Sequence, residues 1–201
     1  MTGESGPAGP LLVVITGPSG VGKDSLLARL KRLGRPYRFT VTATNRPPRP
    51  GETEGVDYYF LSDAQFDEML QRGEFLEHAT VYDQRKGVPR PPVREALAAG
   101  RDVIMRTDVQ GARYIKSVCP GATTIFVRPP SWEELERRLR ARASDTDEQL
   151  DLRLRIAREE LAAAEEFDHA VVNDDLDRAA AAVERILDRE RARPDREPVR
   201  V

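Results

Sequence analysis

Leu11 to Thr16 reads Leu-Leu-Val-Val-Ile-Thr, a continuous uncharged and largely β-branched run. That is the pattern of a strand buried on both faces of a parallel sheet. After a glycine-rich stretch, Leu26, Leu27 and Leu30 recur at helical spacing as far as Gly34, so the chain opens as strand, loop and helix. Thr40 to Thr44 alternates like a strand, and the run Arg46-Pro47-Pro48-Arg49-Pro50-Gly51 breaks regular structure. Val56 to Leu61 reads as a further short strand, and Ser62 with Gln65 spells the capping box of a helix that stops at Gly73. Residues 40–90 thus carry turns and short strands, the signature of an inserted lobe.

Beyond that lobe a strand–helix rhythm returns. A helix around Pro92 to Ala99, a strand from Asp102 to Thr107, a helix from Val109 to Val118 and a strand from Ala122 to Val127 precede a helix capped by Ser131 with Glu134. Alternation of this kind predicts an α/β fold with a doubly wound parallel sheet. From Glu133 to Glu166 the chain is helical and dense in arginine, interrupted at Ala143 to Asp147 by helix-start residues, which suggests a lid between two helices. A last strand, His169 to Val172, leads into an Ala-rich helix from Asp174. The expected organisation is a flexible leader over 1–10 and one domain over 11–189. Its core comprises 11–39, 91–140 and 165–189, its lobe 40–90 and its lid 141–164. A charged, proline-containing tail over 190–201 reads as disordered.

Composition narrows the function classes. The 201 residues carry 32 basic and 34 acidic side chains, a near balance that argues against a dedicated nucleic-acid binder and leaves anion binding to local clusters. A lone cysteine, Cys119, cannot form an intrachain disulfide, and no stretch has the length and apolarity of a membrane span or signal peptide. The cytoplasm is the expected location, with no membrane partner. Cys119 precedes Pro120 in an expected helix-to-strand turn and reads as an ordinary thiol.

The residues that carry chemistry begin at Gly17-Pro18-Ser19-Gly20-Val21-Gly22-Lys23. This segment follows a buried strand and opens a helix, the context a Walker A phosphate loop requires. Its glycines let backbone N–H groups turn inward onto a phosphate, the helix N-terminus adds partial positive charge, and Lys23 supplies an ammonium. A P-loop NTPase fold binding ATP with Mg²⁺ follows. One position departs from the motif: Asp24 stands where Ser or Thr would offer a hydroxyl to Mg²⁺, with Ser25 next. A carboxylate can ligate Mg²⁺, so Asp24 is the candidate metal residue, although beside a triphosphate it also repels.

With the loop in place, the chain from Leu11 to Ala180 resembles the guanylate kinase family. The matching segments, in order, are the phosphate loop, Arg46 to Glu52, Gly55 to Phe60, Gly73 to Glu77, Asp108 to Ala112, Pro129 to Ser131 and Val171 to Asp175. The resemblance implies transfer of the γ-phosphate of ATP to GMP by a core, a GMP-binding lobe and a lid that close together. It places Thr42, Arg46, Arg49, Tyr58, Glu77, Lys86 and Asp108 at GMP, and Asn173 with the phosphate loop at ATP. The expected catalytic cations are Lys23, Arg46, Arg142 and Arg153. Arg46 and Arg49, three apart on a proline-stiffened turn, can fork a phosphate, with Tyr58 donating its hydroxyl. Glu77 can accept from the N1–H and amino group of guanine, a donor pair that adenine lacks. Arg142 and Arg153 flank the lid gap, whereas Arg137, Arg138, Arg140 and Arg155 read as a solvated helix face.

Two further departures stand out. Lys86 takes the place of a tyrosine, and Val88 and Pro89 replace hydroxyl residues that could bond guanine. Arg106 occupies a strand end where the family carries an acidic residue, so one loop loses a negative charge while Asp24 adds one at another. The two substitutions are expected to be coupled, either because Asp24 restores a carboxylate near Mg²⁺ or because it pairs with Arg106. Alternatives are a ribose 1,5-bisphosphate phosphokinase-like small-molecule kinase, whose loop also continues Gly-Lys-Asp-Ser, and a non-catalytic guanylate kinase-like binding domain. The acceptor set disfavours the first, and Lys23, Arg142 and Arg153 disfavour the second. Oligomeric state is open between monomer and homodimer.

Overall fold

A computed structural model describes residues 9–81, 84–141 and 147–201. Strand β1 (Leu12–Thr16) is fully buried, as its uninterrupted apolar run requires. It lies at the centre of an all-parallel five-stranded sheet, flanked by β7 (Val103–Arg106) and β8 (Thr123–Arg128), with β2 (Arg38–Phe39) and β9 (His169–Val172) at the edges. Side chains alternate across the sheet. Leu11, Val13 and Ile15 pack toward helices α1 (Lys23–Arg32) and α7 (Leu176–Ala192). Leu12 and Val14 pack on the other face, toward α3 (Arg90–Ala98) and α4 (Val109–Val118). Fully burying one such side chain is worth about 1.5–3 kcal/mol, so β1 gives the loop that follows it a rigid base.

The inserted stretch builds its own mixed four-stranded sheet in the order β4 (Tyr58–Phe60), β3 (Thr42–Thr44), β6 (Gln84–Pro89) and β5 (Phe75–Val81). Its small core is Ala43 with Phe66 and Phe75, the two rings stacked at 4.4 Å. Helix α2 (Asp63–Gln71) begins with the capping box read from the sequence, with Ser62 and Gln65 exchanging side-chain and backbone bonds. Leu76 and Val88 leave this small core and join the α3–α4 side of the main one, fastening the lobe to the central sheet. Helices α5 (Trp132–Arg140) and α6 (Asp147–Ala162) bracket the expected lid gap; Arg142 and 143–146 lie outside the described residues, as do 1–8, Tyr82 and Asp83. Ser131 caps α5 as anticipated. Cys119 ends α4 and is buried.

The expected disordered tail is a correction. Helix α7 runs on to Ala192, and the residues after it are held by the core rather than shed into solvent. Arg191 pairs with the half-buried Asp102, whose other oxygen accepts the Leu11 N–H at 2.7 Å. Arg196 is buried and donates to the Gly9 carbonyl. Arg94 reaches the Val201 carbonyl at 2.7 Å, while Val199 and Val201 pack against the second apolar cluster. Charge and proline content predicted disorder, but these arginines find a carboxylate and a carbonyl just before the inner strands β7 and β1, and two valines find apolar cover.

Candidate active site

Parallel sheets place ligands at the carboxyl ends of their strands, and here the ends of β1, β7 and β9 converge on the phosphate loop. The loop wraps the N-terminus of α1, and with Arg106, Arg138 and Asn173 it lines a cleft of about 580 Å³. Gly22, the residue before α1, adopts φ +97°, a conformation that favours glycine. A side chain there would also strike the Asn173 amide, whose Nδ2 donates to the Val21 carbonyl at 2.8 Å. Asn173 is buried and its backbone N–H donates to the Arg128 carbonyl, so β8 and β9 fix the loop's far side.

Lys23 donates from Nζ to the Gly17 and Pro18 carbonyls, the second at 3.0 Å. Burial lowers its pKa to about 8, against the opposing pull of Glu160, Asp24 and Asp108. Glu160, on α6, was not singled out in the sequence. Burial raises its pKa, and the Lys23 charge and the Ser19 N–H hold that rise back, which places this carboxyl at the mouth of the phosphate cradle. Its Oε2 has no hydrogen-bond partner among the described residues. Arg153 precedes Glu160 by seven residues, two helical turns, and therefore shares its face of α6.

Arg138 is a second correction. Reading it as part of a solvated helix face overlooked the helix's approach to the loop: its guanidinium bonds Glu134 at 2.7 Å and the Val21 carbonyl at 3.2 Å, and lines the loop's cleft. Arg137 and Arg140, by contrast, pair along the exposed face of α5, and Arg155 is exposed. The i to i+4 spacing of Glu134 and Arg138 is visible in the sequence, but the facing loop is a tertiary fact.

The lobe contributes a second cleft of about 340 Å³, lined by Thr42 and Tyr58 from the paired strands β3 and β4, by Glu52, and by Asp24 and Arg106. Arg46 stacks over the Tyr58 ring at 4.8 Å and is clamped by Glu52 through two bonds of 2.7 and 2.6 Å. Arg46 and the Arg49 backbone N–H hold the Glu52 carboxyl down at about 2. The expected Arg46–Arg49 fork is therefore not preformed: Arg46 already has a carboxylate partner, and the Arg49 side chain is exposed. Lys86 is half-buried on β6, opposite Thr44, with no ion-pair partner among the described residues.

Glu77 lies apart from these cations, at the N-terminus of α4. It is only 9% exposed, and burial, aided by the charge of Asp108, raises its pKa to about 7. Asp108 caps α4, its Oδ1 accepting the Gly111 N–H at 2.7 Å. Gly111 explains how a carboxyl fits against a helix. A Cβ there would lie 2.9 Å from Glu77 Oε1 and 2.2 Å from Thr107 Oγ1. Across the β5–β6 pair Val88 stands opposite Glu77 with its side chain in the main core, which is why an apolar residue is tolerated there.

The two departures from the family pattern meet. Arg106 Nη1 contacts Asp24 Oδ1, joining the end of β7 to the first turn of α1, one of the two couplings anticipated.

Comparison with known proteins agrees with this geometry. The guanylate kinase family model matches residues 10–190. A guanylate kinase of Gloeobacter violaceus is 50% identical over 184 residues, covering 90% of each chain, and one of Nocardia farcinica is 48% identical over 82% of this chain and 86% of its own. The crystal structure of guanylate kinase from Anaplasma phagocytophilum superposes with a TM-score of 0.72 at 30% identity, covering 92% of this chain and 88% of that one. A match of this extent, in sequence and in fold alike, means that the chain belongs to the guanylate kinase family.

Proposed function

We propose that the chain transfers the γ-phosphate of ATP to GMP, giving ADP and GDP. ATP occupies the larger cleft, its phosphates on the loop amides and Lys23, its base beside Arg138 and Asn173. GMP occupies the lobe, its phosphate drawn by Arg46, Arg49, Tyr58 and Lys86, with Thr42 nearby and its base read by Glu77 with Asp108. The observation that carries this reading is that the two clefts share Asp24 and Arg106, so phosphate chains held in each end at one place. Transfer between aligned phosphates needs positioning and charge stabilisation rather than a covalent intermediate.

Each cation has a task in that scheme. Lys23 regains full charge beside the polyphosphate, because an adjacent anion offsets the desolvation that lowers its pKa. Glu160 must leave the cradle as phosphate enters, and since Arg153 rides the same face of α6, its departure moves that guanidinium with it. Arg142, next to the lid gap, completes the catalytic set with Arg153.

ATP-dependent phosphoryl transfer generally uses Mg²⁺. Among the described residues no three His, Cys, Asp or Glu gather as a metal cage. Mg²⁺ usually keeps several waters and takes one or two carboxylates along with substrate phosphates, so the Asp24 carboxylate beside the Ser25 hydroxyl is a suitable donor set. Bound there, the ion would neutralise charge on the phosphates. No helix among the described residues is long and apolar enough to cross a membrane. We assign the chain to the cytoplasm, where its substrates reside, as a monomer or homodimer.

A coupled assay offering ATP with GMP, AMP or ribose 1,5-bisphosphate tests the reading. Turnover with GMP at least about 10²-fold above the others is expected, because a buried carboxylate that must accept two hydrogen bonds rejects a base without the donors. Absence of ATP consumption with GMP and Mg²⁺ would overturn it.

A further inference from the structure

We propose that Arg106 is an additional phosphate-binding residue of this enzyme, a guanidinium held at the junction of the two clefts by Asp24 and released from it when both nucleotides are bound. The inference rests on the ATP and GMP reading above and adds to it a residue that the family pattern does not supply.

Position comes first. Arg106 ends β7 in register with Ile15 of β1, one residue before β1 itself ends and the chain enters the phosphate loop. Its side chain lines both the loop cleft and the lobe cleft, and Asp24 is the one other residue that does so among the described residues. Its charge is felt at Lys23, whose pKa it helps to lower, so the two cations address the same region.

Partnership comes second. Arg138 is tied to Glu134 and to a loop carbonyl, and Arg46 is clamped by Glu52 through two bonds. Among the described residues Arg106 has an ion pair with Asp24 alone, and that carboxylate is 73% exposed. An ion pair this wet contributes little, because water competes for both partners and salt screens them. Converging phosphate chains bring several negative charges and offer a planar guanidinium two acceptor oxygens at once, a stronger partner than one solvated carboxylate. Exchange of Asp24 for phosphate is therefore favourable, and it also frees the carboxylate for other contacts. Asp24 keeps the guanidinium aimed at the junction while the clefts are empty.

The test is calorimetric binding of three ligands in magnesium-containing buffer to the wild type, Arg106→Gln and Arg106→Lys. The ligands are ADP, GMP, and a bridging compound in which adenosine and guanosine are joined 5′ to 5′ by five phosphates. Loss of a charge-assisted hydrogen-bonding group should weaken the bridging compound about 10- to 100-fold in Arg106→Gln, while ADP and GMP alone change less than about threefold. Arg106→Lys, which keeps the charge but loses the fork, should recover part of the loss. A merely structural Arg106 would lower all three affinities together, and a bystander would lower none; either result overturns the proposal. A wild type that binds the bridging compound no more tightly than ADP overturns the functional reading and this proposal with it.

Discussion

The phosphate loop and the buried acidic pair Glu77 and Asp108 meet one electrostatic problem with opposite signs. Lys23 sits where burial drives its pKa down to about 8, and Glu77 where burial drives its pKa up to about 7. Each is an ionisable group whose charged form is disfavoured by its burial. They differ in what supports the charge meanwhile. Lys23 has two backbone carbonyls within reach and carboxylates nearby, whereas Glu77 has no hydrogen-bond donor among the described residues and a second acid, Asp108, close by. The lysine is supported by the loop's own backbone, whereas the desolvation penalty at Glu77 stays open, and in the proposed function guanine relieves it. Binding energy spent in this way serves discrimination, because a base without the two donors leaves the penalty in place.

The largest expected effect falls on the loop. Lys23→Met should lower kcat by roughly 10²- to 10³-fold or more, read in a coupled ADP-release assay, because it removes a cation from the phosphates during transfer. GMP binding, measured by calorimetry, should be nearly unchanged. A parallel loss of GMP binding would break the comparison, since the two charges would then not be independent.

Next is Glu77→Gln. Gln offers one acceptor and one donor where guanine needs two acceptors, so kcat/KM for GMP should fall about 10²-fold while ATP affinity holds. The same change should stabilise the free protein. The folded-state pKa of about 7 lies above the ordinary 4.5, so this carboxyl carries no penalty below pH 4.5, a growing one from 4.5 to 7, and the full one above 7. Full relief corresponds to at most about 3 kcal/mol, so the melting temperature of Glu77→Gln should exceed that of the wild type at pH 8 and match it near pH 4. A variant destabilised at pH 8 would mean that Glu77 has a native partner it cannot spare.

The contrast also explains what the sequence disclosed. The loop is contiguous: a buried strand, glycines, a lysine and a helix start announce one another, and β1 and α1 stand where the pattern put them. The doubly wound sheet followed from the same periodicity. The residues of the proposed GMP site are scattered over β3, β5, β6 and the start of α4, and no local pattern brings Glu77 to Asp108; only the family resemblance named both. Gly111 was the available local clue, a glycine inside a helix that makes sense once a carboxyl lies on it. Arg138 and Glu160 were illegible for a related reason. A charge on an amphipathic helix looks solvated until the facing element is known. The tail misled because composition counts charges and not the partners that await them.

Arg138→Ala sharpens the comparison on the ATP side by separating side-chain support from backbone support. It removes bonds to the Val21 and Asn173 carbonyls, but leaves the loop amides, Lys23 and the Asn173 bond to Val21 in place. The KM for ATP should rise about tenfold, a loss of one or two charge-assisted bonds partly replaced by water, while the KM for GMP stays constant. A change below about twofold would mean that the loop amides and Lys23 carry ATP binding without Arg138.

The smallest effect concerns protons. If guanine binds the ionised form of Glu77, GMP must expel a proton from every molecule in which that carboxyl is protonated. With a pKa of about 7 in the free protein, the fraction ready to bind is near one half at pH 7 and about one eleventh at pH 6, so apparent affinity should fall about fivefold over that unit from this group alone. Above pH 8 the dependence should flatten. The GMP phosphate itself titrates near pH 6, so binding curves alone would mix two protons, and the carboxyl must be observed directly. Carbon-13 NMR of labelled glutamate, assigned by the signal missing in Glu77→Gln, should give a midpoint near 7 in the free protein and one below about 5 with GMP bound, since two donated hydrogen bonds favour the charged form. A midpoint that stays put when GMP is added would separate Glu77 from the base, and would show that its burial serves the packing of α4 rather than the choice of guanine.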